Sequence, residues 1–180
     1  MNRIAIPAAE AIPAASQPLL AAVQQQLGMV PNLMKLLARS PAALEGYLSL
    51  NGALGKSKLS AGLRERIALA VAELNGCDYC LSAHSYLAKH VAKLNDDEIA
   101  AARDFSSADA RQAAALRFAL QVAEQRGRVD DAELAALRGA GFDEAETLEI
   151  VLTVALNILT NYINNAAATA VDFPLVQARA

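Results

Sequence analysis

The chain has no tryptophan, and only four tyrosines and four phenylalanines among its 180 residues. Its core must therefore be built from aliphatic side chains, chiefly alanine and leucine, since 54% of the residues are hydrophobic. Cysteine occurs twice and histidine twice. Two cysteines separated by two residues cannot frame a secreted, disulfide-stapled scaffold. No run of lysine and arginine occurs and the formal net charge is −3, which argues against nucleic acid as a partner. The longest apolar run, Ile150 to Leu156, is too short to cross a bilayer, so no membrane partner is expected. Arg3 is followed by no continuous apolar region before Pro7 and Pro13; no signal peptide is read, and the expected location is cytoplasmic. Strand-length alternation, a glycine-rich phosphate loop, solenoid repeats and low-complexity tracts are missing as well.

What is present is helical patterning in a chain whose length fits one domain. Residues 1–16 are Ala/Pro-rich and non-periodic, and read as an extended arm suited to lie on a neighbouring subunit. Residues 17–180 read as an all-α, single-domain helical bundle. Helices are expected at about 17–27 (capped by Ser16), 31–39, 41–54 (Ser40), from Ser60 onward, 77–92, 96–103 (Asn95), 108–126 (Ser107), 131–138 (Asp130) and from Asp143 to about Ala170. The last of these is apolar nearly all round (Leu148, Val151, Leu152, Ala155, Leu156, Leu159), which predicts a central position. Asn157, Asn161, Asn164 and Asn165 recur along it at helical spacing. They serve either inter-helix hydrogen bonds or a nearby reactive site, where they would hold water or the oxygen of a bound molecule. So much small apolar surface also predicts burial between subunits, hence a homo-oligomer.

The chemistry is concentrated between Glu65 and His84, with the core of the motif within residues 60–92. Asn75-Gly76 breaks the preceding helix, and Cys77 then begins a new one. At 100° per residue, Cys77 and Cys80 lie about 60° apart and Cys80 and His84 about 40° apart, all on one face. Orphan N–H groups, the helix dipole and a nearby imidazole all favour a thiolate there. Glu65, among apolar neighbours, either pairs with Arg64 or Arg66 or faces the cysteines and histidine as a proton acceptor. Glu73 and Ser82 read as solvated surface residues, His90 as a surface or helix-terminal histidine, and Tyr79 as packing or as a hydrogen-bond donor to a bound molecule. On these residues alone, zinc held by Cys77, Cys80 and His84, general thiol–disulfide exchange, and a non-enzymatic helical oligomerisation module all stay open.

Glu65, Cys77 twelve residues on, then Cys80 and His84 resemble the core motif of the AhpD-like alkylhydroperoxidases of the carboxymuconolactone decarboxylase superfamily. The flanks are similar too: Gly28-Met29-Val30-Pro31-Asn32 before the core, and Asn161-Tyr162-Ile163-Asn164-Asn165 through Asp172-Phe173-Pro174 after it. The resemblance implies an AhpD-like helical fold assembled as a trimer or hexamer, and a thiol peroxidase acting on hydrogen peroxide or organic hydroperoxides. It implies that Cys80 attacks the peroxide, that Cys77 resolves the sulfenic acid to a disulfide, and that His84 and Glu65 relay protons. It calls for no metal, flavin or haem, only an external dithiol reductant. One departure is plain: Tyr79 stands where the family's well-studied members carry a histidine.

Overall fold

The computed structural model describes residues 2–179; Met1 of the arm and Ala180 lie outside the described residues. Among the described residues the regular structure is helical, with nine α-helices: α1 (Gln17–Leu27), α2 (Asn32–Leu37), α3 (Pro41–Leu54), α4 (Ala61–Leu74), α5 (Asp78–His90), α6 (Asp96–Arg103), α7 (Ala110–Glu124), α8 (Asp131–Gly139) and α9 (Glu144–Ala167). The helix starts follow local side-chain chemistry. Asn95, Asp130 and Asp143 each form a reciprocal capping box with a glutamate three residues on. Ser40 and Ser60 accept from the N–H of Ala43 and Leu63.

Two expected side-chain caps do not form. Ser107 accepts instead from the N–H of Asp109, whose carboxylate takes the N–H of Gln112, so α7 starts at Ala110 rather than 108. Ser16 sits at the N-cap of α1 in helical backbone geometry, the end of a short 3-10 turn. Its hydroxyl therefore makes no cap bond.

α4 is the centre of the bundle, and α9 is not. Ile67, Leu69, Ala70, Val71 and Ala72 of α4 are all fully buried. Alanines at 68, 70 and 72 let α5, α6, α7 and α9 approach its axis closely. One core lies on the α1–α3, α5 and α6 side and contains both cysteines; the other joins α4 to α7, α8 and α9. α9 has the length and hydropathy of a membrane span, yet half of its most apolar window is buried within the fold. Its buried face carries Thr153, Asn157, Thr160, Asn161 and Asn164, while Leu148, Val151, Leu152, Leu159 and Tyr162 are exposed. An all-round apolar sequence thus conceals a helix whose Asn157, Asn161 and Asn164 face in and whose Leu148, Leu152 and Leu159 face out.

The segment before α1 docks on its own chain. The N–H groups of Arg3 and Ile4 donate to the Ala167 carbonyl at the C-terminus of α9, at 2.7 and 3.3 Å, and Asn2 accepts from the Ala170 N–H at 2.8 Å. Arg39 donates to the Ala5 carbonyl. The arm thereby satisfies part of a helix end that would otherwise need water. At the other end, α9 stops at Ala168 in left-handed geometry, and the chain returns across α5.

Candidate active site

α4 and α5 form an antiparallel hairpin about the Asn75-Gly76 turn, where Gly76 adopts a φ of +58°. Glu65 lies ten residues before Asn75 and His84 nine after it, so the hairpin sets them opposite each other. His84 Nδ1 and Glu65 Oε2 are 2.9 Å apart. The other partners once open to Glu65 are engaged elsewhere: Arg66 pairs with Glu98, and Arg64 donates to the Leu59 carbonyl. Of the two readings of Glu65, the one that faces it toward the cysteine–histidine surface is the one realised.

Cys77 occupies the N-cap of α5, with its sulfur 3.3 Å from the Cys80 N–H, and the two cysteines are joined in a disulfide with Cα atoms 5.3 Å apart. The two sulfurs are not equivalent. Cys77 is 0% exposed and enclosed by core side chains; Cys80, 3% exposed, borders a cavity of about 410 Å³. His84 and Glu65 border the same cavity, as do Tyr47, Asn157 and Asn164. The rest of its wall is mostly apolar, from Leu33 and Met34 of α2 to Leu87 of α5 and Leu156 of α9. The arrangement combines a dithiol/disulfide, an imidazole–carboxylate pair and an apolar chamber reached from solvent. No group of three or more His, Cys, Asp or Glu side chains placed to hold a metal ion occurs among the described residues.

The asparagine stripe divides. Asn161 and Asn165 hold the turn that presents Cys77: Asn75 donates its side-chain amide to Asn161 Oδ1 at 2.9 Å, and Asn165 donates to the Asn75 carbonyl at 2.8 Å. Asn157 and Asn164 line the cavity instead, and Asn164 Nδ2 lies 3.3 Å from the Cys80 sulfur.

Tyr79 is committed to structure. Its hydroxyl accepts from the Leu33 N–H at 3.0 Å, and its ring meets Phe173 edge-on. Burial, together with the nearby Asp172 carboxylate, pushes its phenol well above the usual range. Asp172 also accepts from the Asn32 N–H at 2.7 Å, and Asn32 donates to the Ala170 carbonyl. Pro31-Asn32, Tyr79 and Asp172-Phe173, distant in sequence, thus close one end of the cavity together.

Two surface assignments are corrected. Ser82 is fully buried, with its hydroxyl donating to the Asp78 carbonyl at 2.7 Å and accepting from the Val176 N–H at 2.9 Å. Glu73 bridges Arg103 at 2.5 Å and the Arg179 N–H at 2.6 Å. His90 does sit exposed in the last turn of α5, against Tyr86 at the cavity rim.

Tyr47 of α3 was not singled out by sequence. Its phenol borders the cavity and is raised to about 12, by burial first and by the Glu65 carboxylate second. A hydroxyl held neutral beside the Glu65–His84 pair is a standing hydrogen-bond donor. Only its helical register relative to Leu44 and Leu54 placed it on the inner face of α3.

The carboxymuconolactone decarboxylase family model matches residues 41–125, which take in α3 to α7 and with them Glu65, Cys77, Cys80 and His84. No curated protein matches the chain. Among solved structures, a peroxidase-related protein from Ralstonia eutropha JMP134, described as an alkylhydroperoxidase AhpD core, is 29% identical with a TM-score of 0.84, over 95% of this chain and 92% of its own. A peroxidase-related protein from Silicibacter sp. TM1040 is 28% identical, with a TM-score of 0.83, over 94% and 91%. The debrominase Bmp8, solved with 2,3,4-tribromopyrrole, shares the fold at 22% identity and a TM-score of 0.77, over 94% and 91%. Residues 41–125, with the dithiol hairpin among them, thus match the carboxymuconolactone decarboxylase family, and the chain as a whole has the fold of the AhpD-like peroxidase-related proteins.

Proposed function

We propose that this protein is a thiol-dependent peroxidase that reduces hydrogen peroxide or organic hydroperoxides through a dithiol/disulfide cycle. The observation that carries the reading is the unequal placement of the two sulfurs: Cys80 borders the cavity beside the His84–Glu65 pair, and Cys77 is buried behind it.

In the reduced protein, the Cys80 thiol gives its proton to the imidazole–carboxylate pair. The thiolate attacks the terminal oxygen of the hydroperoxide, forming S–O as O–O breaks. The departing alkoxide takes a proton back from His84 and leaves as alcohol, or as water when the substrate is hydrogen peroxide. Cys77, one turn away, displaces hydroxide from the sulfenic acid, forming the disulfide and releasing water. An external dithiol exchanges with that disulfide, restores both thiols and leaves as its own disulfide. His84 and Glu65 act as general acid and base, Tyr47 as a neutral hydrogen-bond donor in the chamber. No step calls on a metal, flavin or haem. A dithiol donor of this kind fits the reducing cytoplasm. The outward leucines of α9 favour action as a homo-oligomer, and the AhpD-like resemblance implies a trimer or hexamer.

A thiol count and intact mass before and after one equivalent of peroxide test the reading. Two thiols should disappear with a loss of two hydrogens in mass, and added dithiol should restore turnover. Cys80→Ser should abolish peroxide consumption, while Cys77→Ser should allow a single oxidation without recycling. Exchange with dithiols but none with peroxide would instead identify a general thiol–disulfide oxidoreductase on the same scaffold.

A further inference from the structure

Asn164 enters the cysteine site out of α9. Its side chain is 3% exposed, a costly place for a carboxamide unless its polar atoms are used. Nδ2 lies 3.3 Å from the Cys80 sulfur, while Oδ1 is buried with no hydrogen-bond partner. The orientation follows from chemistry: a disulfide sulfur has no proton to offer, so only the amide N–H can point at it. A disulfide sulfur is also a weak acceptor. The same N–H aimed at a thiolate makes a charge-assisted bond, roughly twice as strong as a neutral one. A protonated thiol, in turn, could supply the donor that Oδ1 lacks. Each protonation state of the reduced sulfur therefore satisfies one half of the amide better than the disulfide does.

We propose that Asn164 is a catalytic residue of the dithiol site. Its amide N–H stabilises the Cys80 thiolate, and by favouring the reduced sulfur over the disulfide it makes the Cys77–Cys80 bond easier to reduce. This rests on the peroxidase reading only for its biological use; the bond to sulfur is a property of the dithiol itself. The titratable groups that line the same cavity are Glu65 and Arg64 from α4, His84, Tyr79, Tyr86 and His90 from α5, and Tyr47 from α3. α9 adds only neutral side chains to this wall: Thr153, Leu156, Asn157, Thr160 and Asn164. Arg64 is engaged with the Leu59 carbonyl, and Tyr79 with the Leu33 N–H. Asn164 is thus the neutral donor already on the sulfur, complementary to the proton transfer assigned to His84.

The test uses Asn164→Leu, close in shape but without a donor, and Asn164→Ala in case the larger side chain prevents folding. In a Cys77→Ser background, iodoacetamide alkylation of the single thiol at pH 6–7 should slow about tenfold, the order expected for loss of one hydrogen bond to a charged sulfur. In the two-cysteine protein, the equilibrium with dithiothreitol should move about tenfold toward the protein disulfide. An alkylation rate within twofold of the parent across the pH range, or an unmoved equilibrium constant, overturns the assignment. Neither assay contains peroxide. A protein inert to peroxide could still pass both, and an active peroxidase could still fail them.

Discussion

Glu65 has no local reason to meet His84; the α4–α5 hairpin gives it one. Because Nδ1 of His84 is taken by the carboxylate, the ring's other nitrogen is the one free to exchange a proton in the chamber. His84→Ala should slow the first oxidation step by roughly 10²–10⁴-fold, the range for a lost general acid–base. Glu65→Gln should slow it less, since the amide can still orient the ring. Stopped-flow oxidation of the reduced protein measures both, and equal rates in all three proteins would remove the pair from the mechanism. Tyr47 gives a separate handle. Its phenol rises to about 12 in the fold, against about 10 in an unfolded chain. A raised phenol contributes stability that is fully present below pH 10 and is lost as pH climbs through 12, because the unfolded state gives up its proton first. Thermal melts should therefore fall across that window, and Tyr47→Phe should flatten part of the fall. At this scale the sequence made the reactive set legible, because cysteine and histidine are scarce and four residues at fixed spacing stand out. Tyr47, Ser82 and Glu73 were not legible in the same way. Their partners lie 18 to 106 residues away in sequence, at Glu65, Val176 and Arg179, where no periodicity reaches.

Among the elements, the segment after α9 has a role that its lack of regular structure hides. It crosses α5 through the Val176 N–H on Ser82 and the Ala178 N–H on Asp78 at 2.8 Å, and reaches α4 through the Arg179 N–H on Glu73. Val176 and Ala178 pack against the core cluster that contains Cys77. This strap keeps Cys77 out of water and leaves the cavity side as the approach to the dithiol. Ser82→Ala leaves the Val176 N–H and the Asp78 carbonyl without their shared hydroxyl. The expected cost is about 1–3 kcal/mol, readable as a lower urea midpoint at unchanged slope. It should also speed alkylation of Cys77 in the reduced protein; a Cys77 no more reactive than in the parent would show that the strap does not shield it. Helix starts at Asn95, Asp130 and Asp143 were fixed by capping chemistry contained within four residues, so sequence placed them. The centre of the bundle was misplaced because hydrophobic content alone does not say which side of α9 meets the protein. α4, richer in alanine and carrying two arginines and two glutamates, is the more buried helix because small side chains permit close packing on several sides.

For the molecule as a whole, the outward side of α9 is the feature a single copy leaves unexplained. Leu148, Leu152, Ala155, Leu159, Tyr162 and Ala166 are exposed, and their spacing alternates four, three, four, three, four. That is the a/d repeat of a helical packing seam, in which each residue fits between residues of a facing helix. Exposed at this length it is a liability in water, and a facing copy of the same helix would cover it with matching shape. The cavity wall and the seam also occupy different sides of one helix, so assembly along the seam would leave the dithiol chamber open while stiffening the wall that carries Asn157 and Asn164. Light scattering on the purified protein should give three or six times the 18.9 kDa of one chain. Leu152→Glu combined with Leu159→Glu places charges in the seam without touching the cavity, and should shift the mass to that of one chain while the thiols still oxidise. A parent protein that runs as a monomer at micromolar concentration, or a double variant that keeps the parent mass, would assign the leucines of α9 to something other than self-association.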